Sequence, residues 1–518
     1  MDDQRSKNYV WRALELFAER GDAEAVIYGD RRLSYHDLRA MTLALAASLR
    51  EHGVRPGSAV AVLTANPPES ITLQLALHLL GCRSVWIARA PRAHQVEFLR
   101  KAEVDAFVYH VDTHGEDGRD LRDVLGDLPV LCLGAGGIGP DLLAPRTTSA
   151  APDLDELTAD VTDEPQSLFQ TSGTTGRPKL VHHRHLFFQV LPMLAAQWVA
   201  NGRPVLRHLS LHRFSHSASQ ITTFLVLFMG GVVVLSEPTD AGEVLATIER
   251  ERISSTVVTP PVLYELLDHP ALADTDTSSL LVVTCGGASA APARLSQAID
   301  RIGPVVRIVY AMSESPLITE MPGVHHDEEH PDRLKSCGFP YGDIKVQVRT
   351  ADGAEAATGE VGEVWVSSML NMAGYWGEPD LTAATVVDGW LRSRDLGYFD
   401  GDGFLYLVDR TDDVILTGRG SVNVYSRPVE DVLTGHPDVR AAAVIKVPDD
   451  AMGEAGHAFV VPAAGATVTA DELRDRVVAA LDEMWAPREV EFIDALPLIG
   501  MGKVDKRALF ERFTAARG

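Results

Sequence analysis

Alternating helix and strand signals fill the first third of the chain and constrain its fold more than any other feature. Ser34 stands where a helix cap is expected, and apolar residues follow at helical spacing as far as Leu49. Residues 59–63 form an apolar run typical of a buried strand, residues 67–69 open a second helix, and residues 84–87 indicate the next strand. This rhythm predicts a mostly parallel sheet covered by helices.

The chain is too long for one compact core, because 518 residues exceed the size at which a single core stops growing. Near residue 340 the strand signals become short and alternating, with a hairpin signal at Asp352-Gly353. We therefore predict an α/β fold with a large N-terminal domain over residues 1–410, which includes a β-rich subdomain at about 340–410. A small, mobile α+β domain follows over residues 411–518.

Composition narrows the classes of partner. The chain has 47 Lys and Arg against 72 Asp and Glu, a net charge of −25, which argues against nucleic acid and anionic lipid. The most apolar run, residues 221–235, is too short to span a membrane and predicts a buried helix leading into a strand. Four widely separated cysteines and a polar amino terminus predict a cytoplasmic protein without integral membrane association.

Residues 168–179 carry the strongest chemical signal in the chain. Hydroxyl groups and closely approaching backbone N–H groups suit phosphate oxygens, and a lysine adds positive charge. The spacing does not fit a Walker A motif, so the pattern predicts a phosphate loop of another kind, with a polar surface loop as the alternative. The residues of this pattern are Thr171, Ser172, Gly173, Thr174, Thr175, Gly176 and Lys179.

In its order, TSGTTGRPK, this loop resembles the signature of the adenylate-forming superfamily, which contains acyl-CoA synthetases, adenylation domains of peptide synthetases and luciferases. The resemblance covers nearly the whole chain, from residues 33–63 to residues 496–509, with several motifs in the family's order. It implies that the loop binds the phosphates of ATP, that Mg²⁺ accompanies the nucleotide, and that coenzyme A is a co-substrate.

Residues 310–314 resemble the family's Tyr-Gly-x-Thr-Glu motif. The resemblance implies that Tyr310 stacks on adenine, that Ser313 meets the α-phosphate and that Glu314 holds Mg²⁺. A carboxylate suits this hard cation, which takes oxygen ligands and keeps several waters. Ala311 replaces the family's glycine and Met312 fills the variable position, and both are expected beside the nucleotide.

Residues 285–289 resemble the family's Gly-Gly-Ala-Pro segment. The resemblance implies that a thin stretch of backbone passes between the nucleotide and the acyl group, and a residue without Cβ permits that approach. The nucleotide would then lie against Gly287, Ala288 and Ser289, and the acyl group against Gly286 and Gly287.

Three further motifs follow in the family's order. Asp395 lies in a segment similar to Thr-Gly-Asp-Leu and would accept from the ribose hydroxyls, with Arg394 in place of the usual glycine. The resemblance puts Arg410 at the ribose or phosphate and Asp412 at the hinge of the small domain. Lys503 matches the essential lysine near the carboxyl terminus, and its flanking glycines indicate a mobile loop that carries a cation to developing negative charge.

The nature of the acid is indicated by residues 214–217, where amino-acid-activating relatives carry Phe-Asp-x-Ser. Ser215 replaces the aspartate that binds the substrate ammonium, so an α-amino acid is disfavoured. His216 matches a histidine that acyl- and aryl-CoA synthetases place near the acyl carboxyl, although a structural role is equally compatible with the sequence. The apolar run 221–228 is either a core helix or the lining of an acyl pocket, which favours a hydrophobic carboxylic acid.

We therefore predict an AMP-forming acid–thiol ligase. It would convert a hydrophobic carboxylic acid to an acyl adenylate and transfer the acyl group to coenzyme A, releasing AMP and pyrophosphate. An acyl-AMP ligase that loads the pantetheine of a separate carrier protein uses the same adenylation residues and stays open. A non-enzymatic nucleotide-binding relative is less favoured, and the oligomeric state is open, with a homodimer as one option.

Overall fold

The computed structural model describes residues 8–87, 92–145, 152–171, 179–237, 240–321, 331–418, 422–499 and 502–517. Within these ranges helices cover two large sheets, and a smaller β-rich sheet and an α+β unit follow along the chain. This is the α/β fold class that the sequence predicts, so the prediction of fold is confirmed.

The strands of the described residues are mostly short, and many are buried. In chain order they are β1 (Glu24–Tyr28), β2 (Arg31–Ser34), β3 (Ala59–Leu63), β4 (Arg83–Trp86), β5 (Ala106–His110), β6 (Val130–Leu133), β7 (Gln166–Thr171), β8 (Lys179–Arg184), β9 (Arg207–Ser210), β10 (Val232–Leu235), β11 (Ser255–Val258), β12 (Val282–Cys285), β13 (Val306–Met312), β14 (Ser315–Met321), β15 (Phe339–Pro340), β16 (Lys345–Arg349), β17 (Gly362–Ser367), β18 (Gly374–Tyr375), β19 (Val386–Val387), β20 (Trp390–Phe399), β21 (Leu405–Arg410), β22 (Ile415–Thr417), β23 (Val422–Val424), β24 (Val439–Asp449), β25 (Gly453–Pro462), β26 (Glu489–Phe492), β27 (Leu498–Ile499) and β28 (Lys503–Val504).

The α-helices of the described residues lie between and beside these strands. In chain order they are α1 (Tyr9–Arg20), α2 (Tyr35–Glu51), α3 (Pro68–Leu79), α4 (Arg92–Ala102), α5 (Val111–Leu125), α6 (Leu154–Thr158), α7 (Leu186–Gln189), α8 (Leu191–Ala200), α9 (Ser217–Phe228), α10 (Ala241–Arg250), α11 (Pro260–Asp268), α12 (Pro292–Ile302), α13 (Pro379–Thr385), α14 (Ser426–Thr434), α15 (Ala470–Ala480) and α16 (Lys506–Ala515).

Local sequence signals explain several of these boundaries. The Oγ of Ser34 accepts from the backbone N–H of Asp37 at 3.1 Å, and the Asp37 carboxylate accepts from the N–H of Ser34 at 2.8 Å, so a capping box starts α2. The strand predicted at 84–87 begins one residue earlier as β4. Ile87 follows that strand but still donates its N–H to the carbonyl of Val62 at 3.0 Å.

Two large sheets build the first part of the molecule. One has the strand order β18-β8-β7-β4-β3-β5-β6 and the other β15-β14-β13-β12-β11-β9-β10-β1-β2. Neighbours from β7 to β6 are parallel, as are those from β13 to β1. A single cluster of buried apolar residues joins both sheets, so they share one core. The run at 221–235 forms the end of α9 and then β10, as predicted.

The β-rich part has the strand order β16-β17-β20-β19, with β21 paired to β20. The Asp352-Gly353 signal lies in the connection between β16 and β17, which pair antiparallel, and β17 begins only at Gly362. A single bridge between Arg349 and Glu355 forms the local turn, and the chain then continues before it pairs with β16. The turn residues therefore determine where the chain reverses, whereas packing within the sheet determines where β17 starts.

The last part of the chain combines the sheet β24-β25-β26 with helices α14, α15 and α16 and two short hairpins. Its core is formed by apolar residues of its own strands and helices. The predicted boundary after residue 410 stays a prediction. No helix in the described ranges combines the length and the apolarity that crossing a membrane requires.

Candidate active site

The predicted phosphate loop connects two antiparallel strands. β7 ends at Thr171 and β8 begins at Lys179, and these two residues pair across the ladder. The ammonium of Lys179 lies 5.0 Å from the centre of the Tyr375 ring, within the range of a cation–π contact. The other predicted members of the loop lie outside the described residues; they are Ser172, Gly173, Thr174, Thr175 and Gly176.

A tight turn carries the predicted magnesium carboxylate. β13 ends at Met312 and β14 starts at Ser315, so Ser313 and Glu314 occupy the turn between these strands. Glu314 is nearly buried, and its Oε1 accepts a 2.8 Å hydrogen bond from the phenol of Tyr375.

Two further hydrogen bonds hold the backbone of this turn. Nε2 of His183 donates to the carbonyl of Ser313 at 2.8 Å, and the N–H of Met372 donates to the carbonyl of Glu314 at 2.8 Å. Burial lowers the pKa of His183 to about 4, so its imidazole is neutral near pH 7. Strand β8 and the segment before β18 therefore fix the turn from two directions.

The surroundings of Glu314 suit a bound magnesium ion. Its carboxylate forms no close ion pair with any described basic side chain, and a nearly buried carboxylate without an ion-pair partner is costly. The described residues contain no group of three or more candidate metal ligands. Mg²⁺ takes one or two carboxylates and completes its shell with phosphate oxygens and water, so Glu314 would supply one carboxylate of such a site.

Asp395 forms hydrogen bonds with two other predicted nucleotide residues, Tyr310 and Arg410. It lies on β20, opposite Arg410 of β21. Nε of Arg410 donates to Oδ1 of Asp395 at 3.1 Å, and the phenol of Tyr310 donates to Oδ2 at 2.6 Å. Burial, reinforced by the charge of Asp395, raises the pKa of Tyr310 well above its usual value, so the phenol keeps its proton. Ala311 and Met312 follow on the same strand, β13.

Arg394, which replaces a glycine of the family motif, contacts Asp412, the predicted hinge residue. Arg394 has a φ of +63°, in the left-handed region, and its Nη2 donates to Oδ1 of Asp412 at 2.6 Å. Nζ of Lys446 donates to the backbone carbonyl of Asp412 at 2.6 Å. Asp412 is therefore held from both sides of the predicted domain boundary in this arrangement.

Lys503 lies in the hairpin β27–β28, which contacts the first part of the chain. Gly502 has a φ of +78°, and a Cβ at that position would lie 3.1 Å from Oγ1 of Thr259. An ion pair between Nε of Arg440 and Asp268, at 3.4 Å, adds a second contact. Both contacts involve α11 or the residue before it, so the small unit rests against this helix.

The charge of Lys503 interacts with three predicted site residues. Loss of hydration lowers its pKa and the nearby charge of Arg410 lowers it further, whereas Asp395 and Glu314 act in the opposite direction. The carboxylates that the sequence assigns to ribose and to magnesium thus favour the charged form of this lysine.

The glycine-rich segment after β12 is shaped by the neighbouring strand. A Cβ on Gly286 would lie 2.6 Å from Cγ2 of Val309 on β13, so this site admits no side chain without a rearrangement. Gly287 has a φ of +85°, which favours glycine, and Ala288 and Ser289 complete the loop before α12. Packing within the protein therefore already explains Gly286 without invoking close approach of an acyl group.

His216 lies at the amino-terminal cap of α9. Burial lowers its pKa to about 4, so the imidazole is neutral near pH 7. Ser215, the preceding residue, is also buried. Phe224 and Leu227 of the same helix belong to the main core, which supports the core-helix interpretation for these two residues.

Tyr375 and His183 are site residues that the sequence interpretation missed. Tyr375 is 61 positions from Glu314, and His183 is 130 positions from Ser313. No local spacing connects partners so far apart. The one available hint is that His183 lies on the strand that follows the phosphate loop.

The chain is similar to known proteins along most of its length. Residues 14–376 match the family model of the AMP-binding enzymes, and residues 428–503 match that of the AMP-binding enzyme C-terminal domain. The chain is 33% identical to the feruloyl-CoA synthase of an Amycolatopsis species over 501 residues, which cover 95% of this chain and 96% of that protein.

One further relative and one solved structure are also similar to this chain. The chain is 39% identical over 366 residues to the medium/long-chain-fatty-acid–CoA ligase FadD8 of Mycobacterium tuberculosis, covering 69% of this chain and 62% of that protein. The structure of the amide bond synthetase McbA from Marinactinospora thermotolerans superimposes with a TM-score of 0.85 at 34% identity, covering 97% of this chain and 100% of that one.

Proposed function

The chain belongs to the family of AMP-binding enzymes, and on that premise we propose that it activates a hydrophobic carboxylic acid with ATP and passes the acyl group to coenzyme A. Relatives named as CoA ligases and synthases support this acid–thiol ligase chemistry. The observation that carries the proposal is the hydrogen-bond network around Asp395, in which Tyr310 and Arg410 each donate to one carboxylate oxygen.

In the first step, a carboxylate oxygen of the acid attacks the α-phosphorus of ATP, and pyrophosphate leaves. Both reactants are anions, so the site must hold positive charge close to them. Lys503 supplies a cation between the carboxylate and the α-phosphate, and Lys179 supplies one at the end of the phosphate loop. Magnesium bound at Glu314 would neutralise further phosphate charge.

The nucleoside end of ATP is held by the Asp395 network. The Tyr310 ring stacks on adenine, and the Asp395 carboxylate accepts from the ribose hydroxyls. Hydrogen bonds from Tyr310 and Arg410 already fix both oxygens of that carboxylate, so little reorganisation is needed when the nucleotide binds.

In the second step, the thiolate of coenzyme A attacks the carbonyl carbon of the adenylate, and AMP leaves. Lys503 must first withdraw, and a rotation of the small domain about Asp412 accomplishes this. The ion pair between Arg440 and Asp268 is partly exposed, with 47% and 36% of the side chains accessible, and such pairs are worth about 0–1 kcal/mol. A contact of this strength permits the rotation.

A panel of carboxylic acids tests the proposal. Purified protein with ATP and Mg²⁺ should release pyrophosphate with hydrophobic acids and form acyl hydroxamates when hydroxylamine is added. Lys503→Ala should reduce carboxylate-dependent pyrophosphate exchange by about 100-fold or more. Lys345→Ala, which removes an exposed lysine of β16, is the control. Full exchange activity in Lys503→Ala would refute the role of that lysine.

The acceptor is tested by supplying coenzyme A, a pantetheinylated carrier protein or a primary amine to the adenylate. The proposal expects a thioester with coenzyme A. Transfer to the carrier protein alone would instead establish the acyl-AMP ligase activity. The amine arm is included because one similar structure is that of an amide bond synthetase.

A further inference from the structure

Tyr375 lies between two groups that the proposed function uses. It belongs to β18, pairs with Val181 of β8, and is only 7% exposed. Its backbone N–H donates to Oγ1 of Thr382 on α13 at 2.9 Å. The backbone of this residue is therefore fixed by a strand on one side and a helix on the other.

The side chain of Tyr375 contacts a predicted phosphate ligand and a predicted metal ligand at once. The phenol donates to Oε1 of Glu314 at 2.8 Å, and the ring centre lies 5.0 Å from Nζ of Lys179. A tyrosine side chain has few rotatable bonds, so it keeps the two groups that it contacts at a nearly constant separation.

We propose that Tyr375 is a positioning residue that sets the Glu314 carboxylate and the Lys179 ammonium at a fixed spacing for the magnesium–nucleotide complex. The inference rests on the proposed function. The phenol donates to Oε1, and no other described side chain donates to this carboxylate, so the phenol alone would orient its oxygens for a cation. Partners that orient a metal-binding carboxylate in this way tune metal affinity.

The backbone of the Glu314 turn does not depend on Tyr375. His183 and Met372 donate to the carbonyls of Ser313 and Glu314, and neither bond involves the phenol of Tyr375. Tyr375→Phe therefore changes the orientation of one carboxylate while it leaves the turn in place.

The test measures binding of α,β-methylene-ATP by calorimetry over a series of Mg²⁺ concentrations. In Tyr375→Phe, the Mg²⁺ concentration for half-maximal nucleotide affinity should rise by about tenfold. Tyr406→Phe is the matched control, since its phenol also donates to a carboxylate, Oδ2 of Asp400 at 3.1 Å, but contacts neither Glu314 nor Lys179. An unchanged Mg²⁺ dependence in Tyr375→Phe, or the same shift in Tyr406→Phe, would overturn the proposal.

A double-mutant cycle with Glu314→Gln adds a second readout. The effect of Tyr375→Phe on Mg²⁺ dependence should disappear in the Glu314→Gln background, because the oriented carboxylate is already gone. A shift of the same size in both backgrounds would overturn the positioning role. If the wild-type protein activates acids and Tyr375→Phe has an unchanged Mg²⁺ dependence, only this inference is refuted. If the wild-type protein binds the magnesium–nucleotide complex but activates no acid, the proposed function is refuted.

Discussion

Gly502 offers a direct test of whether the lysine hairpin acts from the position that the structure gives it. Its φ of +78° lies in the left-handed region, and a Cβ would meet Oγ1 of Thr259 at 3.1 Å and Cγ of Pro261 at 3.3 Å. Gly502→Ala therefore combines local backbone strain with crowding where the hairpin docks.

The free-energy costs of the backbone strain and of the crowding can be estimated separately. Left-handed backbone costs alanine about 1–2 kcal/mol relative to glycine, and overpacking of a close contact typically costs about 1–3 kcal/mol. Only the crowding weakens docking, because the strain is present wherever the hairpin lies. A loss of about 1–3 kcal/mol in docking corresponds to a roughly 5- to 150-fold smaller docked population. Gly465→Ala is the matched control, since Gly465 has the same φ of +78° and a Cβ added there would meet nothing within 4 Å.

The assay compares the two half-reactions. Relative to Gly465→Ala, Gly502→Ala should slow acid-dependent pyrophosphate exchange by at least about fivefold, yet transfer a preformed acyl adenylate to coenzyme A at the control rate. Adding Thr259→Ala removes the nearest obstacle and should restore part of the exchange activity. Equal exchange rates in Gly502→Ala and Gly465→Ala would refute docking at Thr259 as the productive arrangement.

Three further outcomes are expected. Tyr310→Phe removes a buried, charge-assisted hydrogen bond to Asp395 and should lower the free energy of unfolding by about 1.5–3 kcal/mol, measured by denaturant titration; an unchanged midpoint contradicts this. Asp412→Pro should slow thioester formation more than adenylation, and equal losses in both assays would exclude a hinge there. Burial lowers the pKa of six histidines from 6.5 in the unfolded chain to about 3 or 4 in the folded protein. Above about pH 6.5 these histidines are neutral in both states and do not oppose folding. As the pH falls towards 4 the unfolded chain binds protons that the folded protein does not, so the free energy of unfolding decreases. Thermal unfolding followed from pH 8 to pH 4 should show that decline, and a flat profile would contradict it. The histidines are His78, His182, His183, His208, His212 and His216.

Features set by neighbouring residues were predictable from the sequence. The capping box at Ser34 and the buried strand β3 follow from hydrogen bonds and apolar periodicity within a few residues. The family, which the comparisons confirm, was also visible, because its motifs are short stretches whose order survives in the chain. The roles of Lys503, Glu314 and Asp395 stay predictions, as does the boundary after residue 410.

Contacts between distant segments were not predictable in the same way. The placement of an acyl group against Gly286 stays a prediction, and the sequence did not indicate that Val309 of the next strand leaves no room there for a side chain. It gave no sign that Tyr375 touches both Glu314 and Lys179. Capping and periodicity depend on neighbouring residues, whereas these contacts depend on which strands pair and on where the hairpin of Lys503 docks. Only the packed tertiary structure decides those positions, because many weak contacts across the whole chain must be satisfied together.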